Sequence, residues 1–331
     1  MKKLMNEPVN YVDEVLDGMQ LAHPRIFKVD GATGRVLRKP VLEPGRVGVV
    51  SGGGFGHLPM FAGYVGDGLL DACAVGDVFA SPDMNPMLEA IRLADGGKGV
   101  LCIVGNYGGD KMNFAMACEF AEMEDIAVRQ VLVTDDVASA PADQMNKRRG
   151  VAGMVYVMKI AGAAAAAGHD LAEVTSLAQR AADNCRSVGV ALASCIVPQS
   201  GRPTFEIADD EIEIGMGIHG EPGVWRGKAK PADALAEELL THLTGDLSLA
   251  SGDRVSLLVN GLGATPVEEL YILHRAARKI LSEQGIDVAI ARVGNYATSM
   301  EMAGASITLM KLDQQLETLL AAPATNPFWS V

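Results

Sequence analysis

VVSGGGFGHLP, residues 49–59, decides the reading of this chain. An apolar run stops at three glycines, then a further glycine and a histidine, as a buried strand does where it ends in a close-packed loop. The stretch around it, RVGVVSGGG (46–54), is one of three such runs in the first half; GVLCIVGNYGG (99–109) and AVRQVLVTDD (127–136) also end in Gly or Asp. Helices are predicted after each, over 58–66, 110–124 and 148–167. The first half therefore reads as α/β, a mainly parallel sheet flanked by helices. Loops gather at the carboxyl ends of such strands, so the glycine loop and the GNYGGD loop are expected to share one crevice.

Beyond a helical region, DLAEVTSLAQRAADNCRSVG (170–189), a second set of strands follows: 190–198, 211–219, 254–263, 287–294 and 305–312. Their alternation suits a mixed α/β sheet. In NGLGATPVEELY (260–271) the spacing predicts a helix capped by Thr265, with Pro266 in its first turn and Glu268 completing a capping box. The chain thus divides near 184 into an N-terminal domain, 1–184, and a C-terminal domain, 185–331.

Composition narrows the function. The 41 Asp and Glu against 28 Lys and Arg would repel a phosphate backbone, which argues against a nucleic-acid partner. MKKLMNEPVN lacks an apolar segment behind its lysines, so no secretory signal is expected. VAGMVYVMKIAGAAAAAG (151–168) carries Lys159 and reads as a buried helix, not a membrane span. Five cysteines without CxxC spacing fit core packing in a reducing cytoplasm.

The glycine loop is not a Walker loop, because His57 and Leu58 stand where Lys and Ser or Thr would be needed. GxGxxG would need glycine at 57, and no ribose-binding acid follows a second strand, so a nicotinamide-dependent dehydrogenase is disfavoured. A tight turn and a ligand loop both remain open for residues 52–56. Of six histidines, His23, His169, His242 and His274 sit in helical or helix-flanking segments. His57 and His219 differ, because each follows an apolar strand and is set in glycine, GGFGHLP and GMGIHGEPG. With Asp110 closing GNYGGD, they suggest a base, a nucleophile and a positioning group. Asp135 and Asp136 read as turn formers. Lys147, Arg148 and Arg149 read as a solvated helix start, with partner docking as the alternative, and Trp225 either caps the pocket or packs.

SGGGFGHLPMFAGYVGDG, GNYGGDKMNF, KRRGVAG, GIHGEPG and LVNGLGATPVEELY, in that order and spacing, resemble the dihydroxyacetone kinase K subunit family over about residues 10–325. The resemblance implies a homodimer of two-domain α/β chains in which His219 bonds covalently to the carbonyl carbon of a small ketose as a hemiaminal. An addition open only to carbonyls would reject polyols. It requires a neutral imidazole, which a nearby acid assists only by orienting the other ring nitrogen. Asp110 would take the proton of the attacking terminal hydroxyl, and His57 would hydrogen-bond the substrate and assist that step. Backbone amides of Gly54, Phe55 and Gly56 would line the pocket. The family further implies that this chain binds no cofactor or metal itself, and that ATP or ADP with magnesium sits on a separate L-type subunit. A ligand-sensing co-regulator that keeps the covalent histidine without transferring phosphate is the alternative.

Family members acting on dihydroxyacetone commonly show GGGSGHEP and a lysine before NYxGD. Here Phe55, Leu58 and Gly105 stand in place of that serine, glutamate and lysine. The resulting loss of polar contacts points to a four-carbon ketose such as an erythrulose.

Overall fold

The computed structural model describes residues 2–329 and 331. Two six-stranded sheets carry the chain. The first contains β1 (Lys28–Asp30), β2 (Val36–Arg38), β3 (Gly48–Phe55), β4 (Ala72–Val78), β5 (Val100–Gly105) and β6 (Val128–Val133) in the order β1-β2-β4-β3-β5-β6. Its last four members in that order run parallel, while β1 and β2 add antiparallel at one edge. The second contains β7 (Cys185–Ala193), β8 (Glu211–Ile214), β9 (Trp225–Lys228), β10 (Arg254–Gly261), β11 (Asp287–Gly294) and β12 (Ala303–Lys311) in the order β11-β10-β12-β7-β8-β9. Only β10 and β11 pair parallel there, so the sheet is mixed.

Eight α-helices cover the sheets: α1 (Tyr11–Ala22), α2 (Met84–Ala94), α3 (Gly108–Met123), α4 (Met154–Ala166), α5 (Leu171–Asp183), α6 (Ala232–Asp246), α7 (Val267–Glu283) and α8 (Gln314–Ala321). Met87, Ile91, Phe114 and Ala117 from α2 and α3 pack on Val50, Ala72 and Cys102. Leu239, Leu243, Leu273 and Ala277 from α6 and α7 cover Val255, Leu257 and Ile307. Between the sheets lies α4, apolar all round as a helix buried on every side must be. Tyr156 on α4 accepts a hydrogen bond from Ser256 on β10 at 2.7 Å, and Lys159 donates to Leu319 O at 2.8 Å. No helix among the described residues is long and apolar enough to cross a membrane.

Three local expectations are corrected. Residues 58–66 form turns with a single 3-10 segment, Ala62–Tyr64, because Pro59 lacks an N–H and Phe61 sits at φ 64°, outside helical space. The helix that follows β4 is α2, so the crossover from β3 to β4 contains no α-helix. Residues 148–153 are not helical either: Asp135 accepts the N–H groups of Val151 and Gly153 at 2.8 and 2.7 Å, fixing the turn that leads into α4. Thr265 does not cap α7; its hydroxyl donates to Gly304 O and accepts Gly304 N–H, at 2.6 and 2.8 Å, tying the loop to β12 instead.

The glycines of β3 are explained largely by packing. A Cβ on Gly52 would lie 2.8 Å from Ala74 O, one on Gly53 2.5 Å from the Phe61 ring, and one on Gly54 2.8 Å from Ala80 N. The strand can approach its neighbours this closely only without side chains.

Candidate active site

His57 follows the end of β3 and is only 1% exposed. Its Nδ1 lies 2.7 Å from Thr298 O. A carbonyl oxygen only accepts, so Nδ1 carries the hydrogen and Nε2 keeps its lone pair. That Nε2 is buried with no protein partner. Burial first, and then the neighbouring His219 ring, push the pKa down to about 3, against the opposing effects of Thr298 and Glu221. His57 is therefore a neutral acceptor across the physiological range.

His219 lies in the glycine-rich loop after β8. Its Nδ1 is 2.7 Å from Glu221 Oε1, and the other carboxylate oxygen accepts the His219 main-chain N–H at 2.5 Å. Glu221 thereby dictates the same tautomer, leaving Nε2 with its lone pair. Burial raises the Glu221 pKa, but hydrogen bonding and charge from His219, with Arg149, outweigh it and hold the carboxyl below its ordinary range. The His219 side chain stays 23% exposed. Its ring meets His57 edge-on at 4.8 Å between centroids, Tyr107 at 5.0 Å and Phe79 at 5.3 Å. Phe79 also stacks on His57, at 5.0 Å and 22°. It does so from φ 58°, a left-handed conformation uncommon outside glycine.

Asp110 stands in the first turn of α3, where the helix dipole favours a carboxylate. It is buried, and its Oδ1 has no partner. Burial raises its pKa, opposed by hydrogen bonding to Ser81 and by the nearness of the His219 ring. Asn106 pins the preceding loop by donating to Asn146 O and Arg148 O at 2.9 and 2.6 Å. Tyr107 leaves a buried hydroxyl unpartnered. His57, His219 and Asp110 thus converge from β3, the β8 loop and α3.

Gly56, at φ 101°, admits the Phe79 wall, since its Cβ would fall 2.8 Å from that ring. Gly105 lies beside Tyr107, where a Cβ would be 3.3 Å from the phenol ring. Phe55 and Leu58 send their side chains elsewhere. They line a separate cavity of about 570 Å³ with Tyr11 and Phe328, and the Phe55 ring meets Tyr11 edge-on at 6.4 Å. Of the three departures noted in the sequence, Gly105 is the one that touches a residue packed on His219, namely Tyr107.

The basic run is not a solvated helix start. Arg148 is 1% exposed and forms a two-pronged bond to Asp246, at 2.9 and 2.6 Å, which Arg186 shares. Arg149 pairs with Asp136; Lys147 alone is exposed. Asp136 also accepts Ala138 N–H, in keeping with its reading as a turn former. Trp225 lies on β9 under the Lys230 ammonium, 4.1 Å from the ring centre, and is itself 38% exposed. Glu221, Phe79, Tyr107 and Thr298 were missed as site residues. Glu221 alone had a readable signal, an acid two residues from a glycine-flanked histidine. Among the described residues no group of three or more His, Cys, Asp or Glu is placed to hold a metal ion.

The Dak1 domain matches residues 17–328. A "PTS-dependent dihydroxyacetone kinase 1, dihydroxyacetone-binding subunit DhaK" of Listeria innocua is 45% identical over 99% of this chain and 100% of its own length. An "L-erythrulose kinase" of Pectobacterium atrosepticum is 42% identical over 99% of this chain, which spans 56% of that protein. Among solved structures, the "Dihydroxyacetone kinase operon co-activator Dha-DhaQ" superposes with a TM-score of 0.88 at 36% identity, covering 94% of this chain and 96% of that one. A match of this extent, on a fold that gathers two tautomer-fixed histidines and a buried carboxylate, makes the chain a member of the Dak1 domain family, of the kinase class.

Proposed function

We propose that this chain is the substrate-binding subunit of a ketose kinase, with the N-terminal unit (1–184) supplying His57 and Asp110 and the C-terminal unit (185–331) supplying His219. In this reading Nε2 of His219 adds to the keto carbon. A C–N bond forms, the carbonyl π pair moves to oxygen, and that oxygen takes up a proton from water; the Nδ1 proton, passed by way of Glu221 to the hydroxide left behind, restores the water and gives the neutral hemiaminal. The ring acquires positive charge as it reacts, and the Glu221 carboxylate 2.7 Å from Nδ1 neutralises it. His57 Nε2 accepts a hydrogen bond from a substrate hydroxyl, and the amides of Gly54, Phe55 and Gly56 line the pocket. Asp110 then accepts the proton of the terminal hydroxyl as that oxygen attacks phosphorus and the phosphoryl donor leaves. The observation that carries this reading is the pair of imidazoles 4.8 Å apart, each with Nδ1 occupied and Nε2 available.

The phosphoryl donor and its magnesium belong to a separate L-type subunit, since the residues here do not fit a nucleotide loop. An exposed stripe on α3, Met112, Met116, Phe120 and Met123, begins two residues beyond Asp110 and supplies an apolar docking face beside the site for that subunit. A homodimer in the cytoplasm completes the assignment. A four-carbon ketose is taken as substrate on the strength of Gly105 beside Tyr107, where family members acting on dihydroxyacetone commonly carry a lysine; identity does not separate the two, at 45% to a dihydroxyacetone-binding subunit and 42% to an L-erythrulose kinase. The alternative of a ketose-sensing co-regulator draws on the co-activator neighbour; retention of buried Asp110 favours transfer.

Native mass spectrometry with dihydroxyacetone and each erythrulose tests the reading directly. The expected result is a mass increase equal to the sugar, absent in His219→Ala, with turnover in the presence of an L-type partner highest for an erythrulose. No adduct with any short ketose would sink the covalent step, and turnover far higher on dihydroxyacetone would sink the four-carbon assignment.

A further inference from the structure

Arg149 is fixed at both ends. Its main-chain N–H donates to Ser139 Oγ at 2.9 Å and its carbonyl accepts Asp136 N–H at 3.1 Å. Its guanidinium forks onto Asp136, with Nε and Nη2 at 2.8 and 2.7 Å from Oδ2. From that anchor it crosses to the other half of the chain. Nη2 donates to Gly215 O at 2.7 Å, where the His219 loop begins, and Nη1 stands 3.9 Å from Glu221 Oε2. Glu221 has one oxygen on His219 Nδ1 and the other toward Arg149 and the His219 main chain. A guanidinium stays charged at any pH the protein meets, so it adds to the larger effect of His219 in keeping this carboxylate ionised and acceptor-only.

Gly217 supports the same arrangement independently. A Cβ there would overlap Glu221 Oε2 and sit 2.5 Å from Arg149 Nη1. The second glycine of GMGIHG thus keeps open the space in which cation and carboxylate meet.

We infer that Arg149 is a positioning residue that sets the Nδ1–H tautomer of His219 through Glu221, so that a cation from the first half of the chain holds the nucleophile of the second half in its reactive form. The inference rests on the proposed role of His219. Without Arg149, Glu221 loses its neighbouring positive charge and its loop loses the bond that ties Gly215 O to Asp136, and an Nε2–H tautomer with its lone pair turned away becomes accessible.

The test uses the full chain and ¹⁵N NMR of the His219 ring nitrogens, assigned by their loss in His219→Ala. Arg149→Met alone would leave Asp136 buried and unpaired, so it is combined with Asp136→Asn; Gly217→Ala is the second variant, with every charge kept. Wild type is expected to show Nε2 unprotonated. Both variants are expected to gain an Nε2–H population and to bind a ketose about tenfold more weakly, the scale of losses seen when an orienting partner is removed. If both keep a single Nδ1–H form and wild-type adduct levels, Arg149 has no such role. If the tautomer shifts as expected but wild type forms no ketose adduct, the positioning stands and the ketose reading fails.

Discussion

His57 and His219 are the same residue type with ring centres 4.8 Å apart, yet they occupy opposite surroundings. His57 is sealed under Phe79 and Phe61, and its Nδ1–H rests on a neutral carbonyl. His219 remains partly open, and its Nδ1–H rests on a carboxylate. A carboxylate partner stabilises the positive charge an imidazole acquires when its other nitrogen attacks; a carbonyl in an apolar box does far less. Environment thereby separates an acceptor from a nucleophile, and the two roles require no difference in the side chains.

That contrast can be broken in three ways. Removing His57 as His57→Ala should leave the ketose adduct visible by native mass spectrometry while cutting phosphoryl transfer by roughly 10²–10⁴-fold, the usual weight of a positioned acid–base group. Loss of the adduct would show that the two rings act as one unit. A smaller effect is expected from Glu221→Gln, which keeps the shape but removes the charge: adduct affinity should fall about 10–100-fold, with the loss centred on binding of the keto group. An unchanged affinity would mean that the carboxylate contributes geometry alone.

The smallest effect concerns stability. His57 titrates near 3 when folded and near 6.5 in an unfolded chain, so both states are neutral above that upper value. Below it the unfolded chain binds a proton that the native site refuses. Stability should therefore fall as pH drops from about 6.5 toward 3, by up to ~1.4 kcal/mol per pH unit from this residue. Denaturant midpoints at pH 7 and pH 5 should show a steeper decline in wild type than in His57→Gln; equal declines would place the imidazole in a more solvated setting than its burial indicates.

The parallel core of the first sheet was legible because strands buried on both faces read as apolar runs, as β3 and β5 do; β6, VRQVLV, exposes Arg129 and Gln130 and was marked instead by the valines and leucine around them and the Asp pair that follows. β4 was missed: ACAVGDV is interrupted by Gly76 and Asp77 and followed at once by the Phe79 turn, which hides it as a strand locally. Residues 58–66 were misread as helix because an apolar spacing outweighed Pro59 and could not reveal the φ of Phe61. The basic run misled for a different reason. Its arginines are buried by Asp246 and Asp136, one of which lies 98 residues away, and a charge looks solvated until its partner is known.

The chain alone fixed which groups are available: glycines that can only pack closely or admit a ligand, histidines set among them, and an aspartate at a helix start. Spacing and type are local properties, so they survive in the linear order. Folding decided which nitrogen of each ring is free, since the Thr298 carbonyl meets His57 across 241 positions and Arg149 reaches Glu221 across the seam between the two halves. A proton's location depends on what stands within about 3 Å of it, and only the tertiary structure sets those neighbours.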